Sequence, residues 1–248
     1  MGTVEDLKEM QSSIESETKA AFQEEIDLCH LGIGLFFDAR TILSGIRFDI
    51  TKSSDASRIL VWRFLVSIPS TTLWCLDALC KGQLGIAGAL LRLMLEEVVG
   101  LIYYKEFPSK ALRRIHEGGD RDPIDVNRKL NDLGYSHSQG LNRLHGELST
   151  HSAHANAPIP IWAGEVLDDG TLSVGNTPRF IPDGFSGMVE IVHNLLFMGI
   201  LQALDAFPEL KVGHDDWWED FVNFTSEVEK RLPPEAQLDM MISYNIPS

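Results

Sequence analysis

Cysteine is scarce in this chain. Three residues of 248, Cys29, Cys75 and Cys80, make an odd set with no paired spacing. That gives neither a disulfide framework nor a zinc-finger ligand series, and it suits reduced, buried thiols in a cytoplasmic protein. Basic residues are few as well: 21 Lys and Arg stand against 36 Asp and Glu, for a net charge of −15. The first thirty residues alone carry eight acids and two lysines. Such a surface repels phosphate backbones and disfavours nucleic acid as a partner. The most basic stretch, Lys105 to Lys129, holds seven basic and five acidic residues, so it reads as a solvated face.

Other signatures are missing. MGTVEDLKEM has no apolar core of the kind a signal peptide needs. GIAGALL, residues 85–91, lacks the lysine of a phosphate-binding loop, and GFSGM, residues 184–188, lacks the spacing of a nucleophile elbow. Asp168-Asp169-Gly170 reads as a turn, not as a calcium loop. The one long apolar run, Leu84 to Tyr104, is interrupted by Arg92, Glu96 and Glu97. Each such charge costs roughly 2.5–3.5 kcal/mol at the centre of a membrane helix, which argues for a helix inside protein and against a membrane span.

What is present is helical periodicity. Expected helices run from about Val4 to Ile46, bent near Gly32 and Gly34, from about Ser57 to Cys80 with Pro69 inside, and from Gly82 to Glu106. Shorter helices should follow Pro108 and Pro123, another should cover about Ser138 to Ala155, and a long apolar one Phe185 to Phe207. The last, DDWWEDFVNFTSEVEKRL, places Trp217, Phe221, Phe224 and Val228 on one core-facing stripe, with acids in its first turn and bases in its last. Between Pro158 and Gly184, WAGEVLDDGTLSV reads as two strands around Asp169-Gly170. The expectation is a mainly α fold: one helical domain over 1–248, with an N-terminal helical region at 1–54, a bundle from 55–157 and 185–248, and a β-hairpin insertion at 158–184. Two helices apolar nearly all round call for a cover, so a homo-oligomer, with a dimer favoured, is expected, and a protein partner stays open.

LHGELSTHSAH, residues 144–154, concentrates the chemistry. On a helix Leu141, Leu144, Leu148, His151 and Ala155 fall within about 80°. His151 then continues the apolar stripe, while His145 lies about 120° from it. Three readings compete. In one, His151 is a core histidine satisfied by a hydrogen bond, and Arg143 pairs with Glu147 on the surface. In another, His151 joins a buried polar cluster with Arg92 and Glu96, which are spaced to pair on the apolar helix and need a polar partner from elsewhere. In the third, Glu147, His151 and His154 at i, i+4, i+7 hold a divalent metal such as zinc. Ser149 beside His151 is too local for a triad. No other cofactor is implied.

ALLRLMLEE followed some fifty residues later by LHGELSTHSAH resembles a group of uncharacterised bacterial helical proteins with an Arg-x-x-x-Glu helix and a later Leu-Ser followed by His. These are similar to HEPN-type bundles, a superfamily of toxin ribonucleases and accessory subunits of stress and phage-defence systems. The resemblance covers roughly residues 55–207. It implies site roles for Arg92 and Glu96, for Ser149, and for one of the two histidines His151 and His154. The HEPN ribonuclease motif has four to six residues between its Arg and His; here Arg143 and His151 have seven between them. Two classes of function follow: an accessory helical module with an Arg92, Glu96 and His151 cluster, or an enzyme. The enzyme would be a divergent ribonuclease using His151 with Arg92 or Arg143, or a metal-dependent hydrolase using Glu147, His151 and His154.

Overall fold

The computed structural model describes residues 4–117, 126–134, 141, 143–146, 148, 164–166, 172–174 and 180–231, with only the backbone given at 127, 164–166 and 172–174. Among these the protein is mainly α-helical. In chain order the helices are α1 (Val4–Ile42), α2 (Ser53–Cys80), α3 (Leu84–Glu106), α4 (Pro108–His116), α5 (Val126–Leu133), α6 (Pro182–Ala206) and α7 (Asp215–Arg231). Residues 143–146 are also helical. Gly164–Val166 and Leu172–Val174 pair antiparallel, with Glu165 opposite Ser173. The turn and flanks of the expected hairpin insertion lie outside the described residues.

The helices begin and end for local reasons. Ahead of α2, the Asp55 carboxylate accepts the Asp49 amide at 2.7 Å, and Asp49 Oδ1 in turn accepts the Thr51 amide at 3.0 Å. This network fixes the entry to a helix whose own N-cap, Lys52, provides no side-chain bond. Gly82, at φ 68°, supplies the left-handed residue that ends α2 and lets α3 return antiparallel beside it. Pro108 and Pro182 open α4 and α6, where a missing amide costs nothing.

One bend lies elsewhere than expected. α1 departs from helical geometry at Phe22 (φ −133°, ψ 33°), not at Gly32 or Gly34. Phe22 stacks on Phe185 with ring centroids 4.6 Å apart, so tertiary packing sets the kink. Gly32 serves close approach instead: a Cβ there would stand 2.8 Å from Phe224 Cε2.

The core is one contiguous cluster in which α2, α3 and α6 pack together, flanked by α1 and α7. Trp217, Phe221, Phe224 and Val228 are all buried on α7, and the Trp217 indole donates to the Leu35 carbonyl at 3.0 Å. Lys105 at the end of α3 reaches across to Asp205 of α6. Burial opposes its charge, yet Asp205 and Glu106 outweigh that and raise its pKa. α2 and α6 are long and apolar enough, by length and composition, to cross a membrane; 56% and 67% of their apolar windows are buried inside the fold.

Candidate functional site

α3 is not apolar all round in its N-terminal half. Its inner side, with Leu91, Met94, Leu95 and Val98, is fully buried, but Ile86 and Leu93 on its outer side are 54% and 42% exposed. Arg92 and Glu96 stand one turn apart along the border between these two sides. The deep burial expected for them is therefore corrected: their side chains retain 31% and 24% exposure, because no element among the described residues covers the outer side. A half-wet position spares the pair most of the desolvation cost of a buried ion pair.

Arg92 Nε donates to Glu96 Oε1 at 3.0 Å. The same oxygen lies 3.3 Å from Nε2 of His145, 49 residues further along the chain. A carboxylate only accepts, so Nε2 carries the hydrogen, either in the neutral ring or in the imidazolium. Two donors from two segments thus converge on one oxygen. The histidine in this contact is His145, which helical spacing sets about 120° from His151. His151, Ser149, Glu147 and His154 lie outside the described residues, so the metal set they could form does too. Arg143 is exposed on the segment that carries His145.

The signal for His145 was available. Measured from His151 it points away, but it lies only about 40° from Leu141 and about 60° from Leu148. Leu148 is buried, and Leu141 and Leu144 pack against the core. His145 thus edges the same apolar arc, and at 16% exposure it is the more enclosed partner of Glu96.

Glu97 extends the cluster toward α2. Burial raises its pKa; the Ser67 and Thr71 hydroxyls and Arg63 act in the opposite direction, and the neighbouring Glu96 adds to the rise. Its Oε2 is buried and has no hydrogen-bond partner among the described residues. Adjacent carboxylates therefore occupy different environments: Glu96 is paired, whereas Glu97 is partly desolvated. Sequence reasoning counted Glu97 only as a charge within the apolar run.

No known family, no curated protein and no solved structure matches this chain.

Three other features bear on chemistry. His193 is a core histidine: it is 3% exposed and its Nε2 donates to the Glu25 carbonyl at 2.9 Å. The cysteines are free and buried; burial pushes Cys75 up to about 12 and Cys80 up to about 11, and raises Cys29 as well. Thiols so placed are poor nucleophiles at neutral pH. At the other end of the bundle, an open cleft of about 750 Å³ lies between Ile46, Arg58, Asp205 and His214. Arg58 there sits 4.8 Å from the Phe207 ring and pairs with Glu209. Among the described residues no group of three or more His, Cys, Asp or Glu is arranged to hold a metal.

Proposed function

We propose that this protein is a non-catalytic helical interaction module, HEPN-like in layout, of the accessory kind found in stress and defence systems. One observation carries the reading: a single carboxylate oxygen, Glu96 Oε1, engages Arg92 from its own helix and His145 from a distant segment. An oxygen held by two donors suits holding a segment in place better than exchanging protons. The inert character of the three thiols removes the other common nucleophile from consideration. A reduced cytoplasmic setting belongs to the same reading, because those thiols are buried and unpaired. So does the hairpin expected between 158 and 184, within which Gly164–Val166 and Leu172–Val174 pair antiparallel.

The test compares the wild-type chain with Glu96→Gln and His145→Ala for RNA cleavage, bound metal and stability. The module reading expects no cleavage by the wild type, less than stoichiometric metal, and lower stability in both variants. RNA cleavage abolished by His151→Ala, or one tightly bound metal per chain, overturns it in favour of the enzyme readings built on His151 and His154.

A further inference from the structure

We propose that the outer face of the α2–α3 hairpin is where a second copy of this chain binds, through a two-fold contact centred on Trp74. The inference goes beyond the module reading and does not depend on it.

Four large apolar side chains are exposed on this hairpin: Leu73 (40%) and Trp74 (63%) on α2, and Ile86 (54%) and Leu93 (42%) on α3. Trp74, Ile86 and Leu93 lie together, with Leu73 about 100° round α2 from Trp74 at the edge of the group. Thr72 Oγ1 contacts Met94 Sδ at 3.4 Å, and Cys75 Sγ contacts the Ala87 carbonyl at 3.6 Å. This antiparallel register sets Trp74 across from Leu90, which is only partly buried. Ile86, Leu90 and Leu93 then follow one another along a single face of α3. Leu73, Trp74, Ile86 and Leu93 together expose roughly 400 Å² of apolar surface, the size of the largest, often functional, patch on a protein surface. A standard protein interface takes about 800 Å² from each partner, a little over half of it non-polar. The patch is about what one side of a stable dimer needs.

Charge identifies the occupant. The chain carries −15 in total, yet the charges bordering this patch balance. Arg63, Lys81 and Arg92 stand against Asp77, Glu96 and Glu97. Lys81 pairs with Asp77 at 2.7 Å, and Arg92 with Glu96 at 3.0 Å. A basic partner would be drawn to the acidic remainder of the surface, and an acidic partner finds no excess of positive charge here. A second copy is repelled everywhere except across a neutral apolar face, and a two-fold contact presents that same face from both sides. Each basic side chain at the rim can then meet an acidic one.

Sedimentation equilibrium of the full chain tests this, with Trp74→Glu, Ile86→Glu and the control Leu7→Glu. Leu7 is also exposed, on the first turns of α1, so its variant adds the same charge on a helix that contributes no residue to the patch. The wild type should sediment at twice 27.7 kDa. Trp74→Glu and Ile86→Glu should each weaken self-association at least about tenfold, with helicity retained by circular dichroism, and Leu7→Glu should leave it unchanged. Ile86→Glu repeats the test on the second helix should Trp74→Glu fail to fold. Raising ionic strength from about 0.01 M to about 0.15 M shortens the Debye length from about 30 Å to about 8 Å and should tighten the dimer by screening the acidic remainder. A monomeric wild type, patch variants that associate normally, or a Leu7→Glu effect as large as theirs each overturns the proposal. So does a monomer that sediments with neutral phosphatidylcholine vesicles, since the face would then serve a membrane.

Discussion

His145 Nε2 lies 3.3 Å from Glu96 Oε1, the same oxygen that Arg92 Nε contacts at 3.0 Å. The contact joins residues 49 positions apart and ties the 143–146 segment to α3. Losing it should loosen the segment before it unfolds the bundle, because the apolar core beneath α3 is unaffected. Hydrogen exchange should therefore accelerate around residues 143–146 in His145→Ala, while amides in the middle of α3 stay protected. Equal acceleration in both places would mean that the histidine supports the whole fold.

Glu97 predicts a gain from removing a charge. Burial raises its pKa above the ordinary 4.5, so the folded state holds its proton more tightly than the unfolded chain does. The sign follows from linkage: stability associated with this group is complete below about pH 4.5 and is lost as pH rises through the elevated value. At pH 7 the folded protein carries a partly desolvated carboxylate. Glu97→Gln should stabilise the fold by an amount on the order of 1 kcal/mol at pH 7, and the gain should vanish as pH falls toward 4. Urea unfolding at both pH values measures it. A variant less stable at pH 7 would show that Arg63 and the α2 hydroxyls more than compensate the burial.

His193 works in the opposite direction. Burial lowers its pKa below 6.5; the Glu25 carbonyl resists that shift and Arg231 assists it. The unfolded chain therefore binds this proton more readily, and the contribution of His193 is complete above about pH 6.5 and is lost as pH falls through the lowered value. His193→Gln keeps a donor for the Glu25 carbonyl but does not titrate. Its melting temperature should fall less than that of the wild type between pH 6.5 and pH 5, and parallel curves would rule the group out as a source of acid sensitivity.

Two glycines in α1 should respond oppositely to the same change. At Gly32 a Cβ would be pressed to 2.8 Å from the Phe224 ring and 3.0 Å from Leu196, so Gly32→Ala should destabilise by about 1–3 kcal/mol. At Gly34 nothing lies within 4 Å of the added atom, so Gly34→Ala should stabilise by up to about 1 kcal/mol through helix propensity alone. Denaturant midpoints of the two variants suffice as a test.

Much of the fold was legible in the residues, and the reasons are physical. The stripe of Trp217, Phe221, Phe224 and Val228 repeats at helical spacing, and all four are buried. Pro108 marks a helix start because proline's fixed geometry suits the first turn, and the long helix expected from Phe185 begins three residues earlier, at Pro182, for the same reason. The kink at Phe22 was not legible, because it answers to Phe185 more than 160 residues away and not to a local breaker. The half-exposed state of Arg92 and Glu96 was missed for a similar reason. Composition showed that α3 is apolar, but whether a neighbour covers its outer side is a tertiary fact. His145 was less legible because it points away from His151, whereas Leu141 and Leu148 anchor the segment to the core.

Glu96 and His145 hold two segments together, and a double-mutant cycle measures how strongly. Urea unfolding of the wild type, Glu96→Gln, His145→Ala and the double variant yields their coupling energy. For a half-buried charged hydrogen bond it should be about 0.5–1 kcal/mol in favour of the pair. Additive effects, with coupling indistinguishable from zero, would mean that the two residues do not hold the segments together.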